Sequence, residues 1–215
     1  MINSYLNITV IAEWITFLAS ILILDKRTTV WRLFILLFIL ILCAETTGWY
    51  LSFRLHRENG LPFNILMLFS NTFLMWFFSR SALLKPIEKA IIFFAGFFLA
   101  FALVNLLCFQ GANTYNSFSE VLADIILAII CCYFLYALVK NAEDVDLLGF
   151  DYFWLSIGVL FYTLGCAVLY PFANLLEVYH QRTNINVGEY INYTLSLILY
   201  GCLIIAFLCR RKVTR

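Results

Sequence analysis

Seven long apolar runs separated by short polar segments dominate the chain. A helix needs about 20 apolar residues to cross a bilayer, and each run is close to this length. The runs are continuously apolar instead of alternating, which favours helices over the strands of a barrel. The pattern predicts seven transmembrane helices, over roughly residues 5–24, 30–53, 61–79, 90–110, 118–139, 153–175 and 190–209.

The composition agrees with a membrane protein and argues against other classes. Of the 215 residues, 64% are hydrophobic and 13% are charged. Soluble domains have about 45–50% apolar and about 25% charged residues. The net charge of +1 gives no indication of a nucleic-acid partner. We therefore expect residues 1–215 to form a single all-α domain, a polytopic helix bundle surrounded by lipid.

The positions of lysine and arginine predict the orientation of this bundle, because short cytoplasmic loops carry an excess of them. Eleven of the 14 lie in alternate polar segments or in the C-terminal tail, and three lie in the remaining segments. This places the N-terminus outside and the C-terminus in the cytoplasm. Residues 1–7 carry no lysine or arginine, so the first run is interpreted as a retained helix and not as a signal peptide.

Three carboxylates lie within the predicted helices, where ionisable groups are costly and are functional candidates. At a rise of about 1.5 Å per residue, Glu13, Glu45 and Asp124 all lie roughly 9–12 Å from the outer surface. They therefore share one layer of the outer half of the bilayer. This layer predicts a polar pocket that is open to the outside and closed by an apolar cytoplasmic half.

Further polar and aromatic residues extend the candidate pocket. Trp49 follows Glu45 by one helical turn, and Tyr162 and Tyr170 are eight residues apart on about the same helix face. The predicted ligand-binding residues are Glu13, Glu45, Trp49, Asn71, Asn105, Asp124, Tyr162 and Tyr170. The alternative interpretation is that these groups bond across helices merely to hold the bundle together.

Known catalytic and cofactor motifs are missing from the sequence. There is no P-loop, no glycine-rich dinucleotide fingerprint, no H-E-x-x-H and no G-x-S-x-G. We therefore assign no catalytic residue, metal or cofactor, and the sequence does not favour an enzyme. The enzymatic alternative is a lipid-acting membrane enzyme in which Glu13 and Glu45 carry out general acid–base catalysis.

One cytoplasmic segment departs from the basic character of its side. Residues 140–151 include the acidic residues Glu143, Asp144 and Asp146. These three residues are candidates for docking a basic face of a cytoplasmic signalling partner. A solvated loop with no partner is the alternative.

The chain resembles the small seven-helix membrane modules joined to, or encoded beside, bacterial two-component sensor kinases. The similarity rests on Glu13 in the first helix and on the opening of the sixth helix, Phe153-Trp154-Leu155-Ser156, with Gly158, Tyr162 and Gly165. It implies an extracytoplasmic stimulus (a small ligand, a lipid or a proton), a cytoplasmic partner such as a kinase, and the bacterial inner membrane. The sequence has no kinase domain, so the signal would pass to a separate protein.

A weak internal repeat supports a second interpretation, that of a small-solute transporter. Residues 10–15 resemble residues 121–126, and residues 37–44 resemble residues 160–167. The layout would be two parallel three-helix repeats joined by a linker helix. Some sugar transporters are similar in this layout, but the matched hinge prolines of their two halves are missing here.

Overall fold

A computed structural model describes residues 8–24, 29–56, 58–141 and 146–213. Within these ranges the chain is almost entirely helical and contains no β-strand. The helices are α1 (Ile8–Ile23), α2 (Leu33–Trp49), α3 (Gly60–Ser79), α4 (Glu88–Val104), α5 (Ser117–Lys140), α6 (Asp151–Leu169), α7 (Ala173–Thr183) and α8 (Val187–Val213). Wider π-helical turns extend α2 over Tyr50–Arg54 and α4 over Asn105–Phe109.

Six helices of the described ranges are long and apolar enough to cross a membrane: α2, α3, α4, α5, α6 and α8. Helix α1 is also apolar, but its 16 residues extend about 24 Å, less than the about 30 Å of a hydrocarbon core. Large apolar side chains project from the bundle, for example Leu22 (78% exposed) and Phe93 (68%). Such a surface suits lipid and not water. The prediction of an all-helical membrane bundle is confirmed at this level.

The main difference from the predicted helices follows Pro171. The sequence predicts that the sixth helix continues to residue 175 and that a polar segment follows it. Instead α6 ends at Leu169, a 3₁₀ turn covers Tyr170–Phe172, and α7 begins at once. Proline has no backbone N–H and clashes with the preceding turn, which ends α6 here. The 11 residues of α7 are too few to cross a membrane.

Helix α8 joins the two halves of the bundle, since it packs against α6 on one side and α1 on the other. Helix α2 packs between α1 and α3, and α5 contacts α3, α4 and α6. Two glycines bring α6 close to α8. A Cβ atom on Gly158 would lie 2.7 Å from Cys202 Cβ, and one on Gly165 would overlap the Leu195 side chain. These glycines therefore serve the close helix packing typical of membrane bundles.

The two ends of the bundle differ in chemistry. Helices α1, α3, α5 and α8 begin at one end, which we call the carboxylate end. At the opposite end, the aromatic end, five rings form an aromatic cluster: Trp31, Phe34, Phe77, Tyr152 and Phe207. The ring centroids of Trp31 and Phe77 are 4.9 Å apart, as are those of Phe34 and Phe77. The aromatic cluster joins α2, α3, α6 and α8 in a well-packed core.

Candidate ligand-binding site

A cavity of about 720 Å³ lies inside the bundle and reaches the carboxylate end. This volume falls within the about 300–1,000 Å³ typical of small-molecule sites. Its walls come from α1, α2, α3, α5, α6 and α8, and the connecting residues 58–59 and 113–115 line its mouth. The deeper walls are apolar and include Phe34, Leu37, Leu155 and Leu203.

The structure brings together six of the eight residues that the sequence predicts for ligand binding. The residues that line this one cavity are Glu13, Glu45, Asn71, Asp124, Tyr162 and Tyr170. The three carboxylates predicted to share a depth therefore also face a common space. Their convergence is a property of the fold, and their use in ligand binding stays a prediction.

Glu13 is held on α1 in the wall of the cavity and is 3% exposed. The hydroxyl of Tyr200 on α8 donates a hydrogen bond of 3.0 Å to Glu13 Oε1. Glu13 Oε2 is buried and has no hydrogen-bond partner in the part of the chain that the structure describes. Glu45 on α2 lines the same cavity. Helices α1 and α2 thus present a pair of carboxylates, one oxygen of which is unsatisfied.

A second acidic pair lies on α5. Glu120 and Asp124 are one helical turn apart on the same face, and both line the cavity. Asn71 Nδ2 on α3 donates a hydrogen bond of 3.2 Å to Glu120 Oε2. Asp124 is 1% exposed, and its Oδ2 atom is buried without a hydrogen-bond partner among residues 8–24, 29–56, 58–141 and 146–213. Each acidic pair therefore contains one buried, unsatisfied carboxylate oxygen.

Two predicted residues lie outside the cavity lining. Trp49 stacks on Phe53 with a centroid separation of 5.6 Å. Asn105 Nδ2 donates to Gln110 Oε1 at 2.8 Å, to Ser119 Oγ at 3.2 Å and to Asn116 Oδ1. It thereby ties the π-helical turn after α4 to the start of α5. These hydrogen bonds link the two helices, and a role of Asn105 in ligand binding stays a prediction.

The connection between α4 and α5 is fastened at the cavity mouth by Asn64 of α3. Asn64 Nδ2 donates to the carbonyl oxygens of Ala112 (3.0 Å) and Thr114 (2.8 Å). Asn64 Oδ1 accepts a hydrogen bond of 2.8 Å from the backbone N–H of Asn116. This amide is buried with its hydrogen bonds made, as is usual for buried polar groups. Glu13 and Asp124 differ from it, since each keeps a buried oxygen with no hydrogen-bond partner among the described residues.

Sequence reasoning did not select several residues of the cavity wall. Glu120 had a visible signal, because it lies one turn before Asp124. Tyr115 and Tyr200 had none, since the first is in a loop and the second lies among apolar residues. The hydroxyl groups of Tyr115 and Tyr170 are 3.2 Å apart, which links the mouth to the end of α6.

The candidate docking segment is described in part. Glu143 and Asp144 lie outside the described residues. Asp146 is exposed, and its carbonyl oxygen accepts a hydrogen bond of 3.1 Å from the backbone N–H of Gly149. Asp151, at the start of α6, forms an ion pair with Arg210 Nη1 of α8 at 3.2 Å. Docking of a partner at these acidic residues stays a prediction.

These features define the class of the protein. It is an integral membrane bundle of α-helices with an internal chamber that is acidic near one end and apolar at depth. Over the described ranges, no group of three or more histidine, cysteine, aspartate or glutamate residues is arranged to hold a metal ion. Comparison of the chain with known protein families, with curated proteins and with solved structures found no match.

Proposed function

We propose that this protein is a membrane receptor or sensor module that binds a small ligand in the cavity and relays its presence to the aromatic end. The observation that carries the proposal is the pair of buried carboxylate oxygens on Glu13 and Asp124. An unsatisfied buried polar group costs stability, by about 1–3 kcal/mol. Two such oxygens on one cavity wall support ligand binding over a role that only holds the helices together.

Phe34 offers a physical route for the relay. Its side chain lines the deep wall of the cavity and also belongs to the aromatic cluster. Tyr152 of that cluster directly follows Asp151, which pairs with Arg210. A ligand that displaces Phe34 would repack the cluster and favour a second arrangement of α6 and α8, as a pair, relative to α2 and α3. Such a ligand acts by population shift, since it binds one arrangement more tightly than the other.

The proposal includes the orientation that the sequence predicts. We place the carboxylate end outside the cell and the aromatic end in the cytoplasm, with α1 as a seventh span. Arg210, Arg211 and Lys212 at the end of α8 then lie in the cytoplasm, as the positive-inside rule expects. The resemblance to bacterial sensor-kinase modules fits this arrangement, with the bacterial inner membrane as location and a kinase as the cytoplasmic partner.

Binding and relay are tested separately on protein in lipid nanodiscs. A panel of cationic, neutral and anionic small molecules is screened for those that raise the midpoint of thermal unfolding. The hypothesis expects a hit that acts on the wild type and fails on the Glu13→Gln/Asp124→Asn double variant. The matched control is Glu189→Gln, an exposed carboxylate outside the cavity lining, which should respond as the wild type does.

Relay is read at Cys209, whose thiol lies 3.4 Å from the Leu148 carbonyl oxygen at the aromatic end. In a variant that keeps only this cysteine, the hit should change the rate of Cys209 alkylation. Binding without any change at Cys209 would contradict the relay. If no member of the panel raises the unfolding midpoint, the binding hypothesis itself is contradicted.

A small-solute transporter is the second candidate, and the helix contacts favour it. If α1, α2 and α3 correspond to α5, α6 and α8, the contact between α1 and α8 is equivalent to the contact between α5 and α3. Both contacts are present. Equivalent contacts are expected of two repeats around a central site. Accumulation of the screening hit inside proteoliposomes, at a rate lowered by the double variant, would favour transport over sensing.

A further inference from the structure

The charge of the cavity wall restricts the chemistry of a ligand. Five carboxylates line it: Glu13, Glu45, Glu58, Glu120 and Asp124. No lysine, arginine or histidine appears among the lining residues that the structure describes. Opposite charges attract strongly where water is excluded, and like charges repel there. A cation is therefore complementary to this wall, whereas an anion is not.

The unsatisfied atoms specify the ligand group more closely. Glu13 Oε2 and Asp124 Oδ2 are hydrogen-bond acceptors when ionised, so their missing partners are donors. Two neighbouring donors bond other oxygens: the Tyr200 hydroxyl bonds Glu13 Oε1, and Asn71 Nδ2 bonds Glu120 Oε2. An ammonium group carries three N–H donors and a positive charge. It thus meets both requirements at either acidic pair.

The depth of the cavity adds an apolar requirement. Below the carboxylates, the wall is formed by side chains such as Phe34, Leu37, Leu155 and Leu203. An ion that occupied only the acidic layer would leave this apolar space to water. An alkyl chain attached to the ammonium group would fill it instead, with a gain of about 0.8 kcal/mol per buried CH₂ group relative to the same chain in water.

A groove on the outside of the bundle lies beside the acidic layer. It runs between α5 and α6, and its lining includes the exposed side chains of Ile125, Ile129 and Leu164. Asp124 lines both this groove and the internal cavity. Only the Asp124 side chain, which is 1% exposed, is common to the two linings, so a molecule dissolved in the bilayer would reach the cavity from the side by displacing it.

We propose that the cavity binds an amphipathic amine, with its ammonium group at the Glu13–Glu45 or Glu120–Asp124 pair and its alkyl chain on the deep apolar wall. This inference rests on the proposed function, because it names the class of ligand for the same cavity. The groove beside Asp124 supplies such a ligand from the membrane. The carboxylate end would thus bind the ammonium head of the ligand, and Phe34 would contact its alkyl chain.

The test uses photocrosslinking to the full-length protein in nanodiscs of zwitterionic lipid. The probe is decylamine with a diazirine at the far end of its chain. Matched probes with a hydroxyl or a carboxyl head, on the same chain, serve as controls for simple partitioning into lipid. Mass spectrometry then locates the crosslinked residues, and unlabelled decylamine is added as competitor.

The amine probe should label Phe34, Leu37, Leu155 or Leu203, and the competitor should remove this labelling. Glu13→Gln or Asp124→Asn, whichever belongs to the pair that holds the ammonium group, removes a charge-assisted hydrogen bond and should weaken the competition by about tenfold. Glu189→Gln should leave it unchanged. Labelling of the deep wall by the amine alone supports the inference.

Equal labelling of the deep wall by all three probes would overturn the amine inference and leave the proposed binding function intact. Labelling of the deep wall by the carboxyl probe alone would also overturn the amine inference and leave the proposed binding function intact. Labelling confined to the lipid-facing residues Ile125, Ile129 and Leu164 for every probe would overturn both, because the deep wall would then take up no ligand of this kind.

Discussion

The carboxylate end and the aromatic end of the bundle satisfy their buried groups to different degrees. At the aromatic end, Trp31, Phe34, Phe77 and Phe207 are almost completely buried against one another, and Asp151 has Arg210 as its ion-pair partner. At the carboxylate end, Glu13 and Asp124 are as deeply buried but each keeps an unsatisfied oxygen. Groups that lower stability persist where function requires them. The two ends should therefore respond to substitution in opposite directions.

The largest effect is expected at the aromatic end. Phe77→Ala removes a fully buried ring that contacts Trp31, Phe34 and Tyr152. The lost burial and the remaining void should lower the free energy of unfolding by about 3–5 kcal/mol. Equilibrium unfolding in mixed detergent micelles measures this change. A loss below about 1 kcal/mol would show that the end has room to collapse and is not tightly packed.

At the carboxylate end, removal of an unsatisfied carboxylate should raise stability. Asp124→Leu replaces a buried group lacking a partner on Oδ2 with an apolar one, and the adjoining cavity has space for the larger side chain. The free energy of unfolding should increase by about 1–3 kcal/mol in the same micelle assay, while ligand binding is lost.

The matched control for this change is Asn64→Leu, at the same end of the bundle. Asn64 is equally buried, but both ends of its amide are hydrogen-bonded. Its replacement should lower the free energy of unfolding by about 1–3 kcal/mol, because it leaves buried backbone groups unpaired. If Asp124→Leu and Asn64→Leu destabilise the protein alike, Asp124 merely holds helices together and the contrast between the ends disappears.

A smaller effect is expected for the ion pair at the aromatic end. Asp151→Asn removes the charge that pairs with Arg210, whose side chain is 31% exposed. Solvent screens the pair in part, so the free energy of unfolding should fall by about 1 kcal/mol. High salt should lower the free energy of unfolding of the wild-type protein, so that it approaches that of the Asp151→Asn variant. A variant more stable than the wild type would show that desolvation outweighs the pairing.

The smallest effect is expected for an exposed pair. Lys85 and Glu88 are 3.0 Å apart, and the lysine side chain is 74% exposed. Pairs of this kind contribute about 0.2–0.5 kcal/mol. Lys85→Ala should therefore change stability by no more than this amount. Subtracting this value from the Asp151→Asn result isolates the contribution of partial burial.

The apolar runs predicted most of the fold, because the length of such a run is tied to the thickness of the bilayer. The sequence placed α3 at residues 61–79 and α5 at residues 118–139, against Gly60–Ser79 and Ser117–Lys140 in the structure. Helix α7 was missed, since its polar residues look like a loop when only apolar runs are counted. The seventh span and the orientation remain predictions.

The sequence predicted how deep each candidate side chain lies in the membrane, but not which way it points around its helix. The rise per residue places Glu13, Glu45 and Asp124 in one layer, and all three do line one cavity. The same reasoning also selected Asn105, whose amide faces Gln110, Asn116 and Ser119 instead. Depth depends on counting residues, whereas the direction of a side chain depends on which helices are neighbours. Tyr200 was missed for this reason.

The close contact of α6 with α8 divides the bundle mechanically. Two helices that approach through Gly158 and Gly165 have little space in which to rotate against each other, so we expect them to move as one unit. The Tyr200–Glu13 hydrogen bond joins this unit to α1. A ligand that draws the Glu13 carboxylate away from Tyr200 would break this hydrogen bond and leave α1 free to move relative to α6 and α8. Because α6 and α8 would stay together, a local exchange of hydrogen bonds at Glu13 would displace α1 relative to both helices.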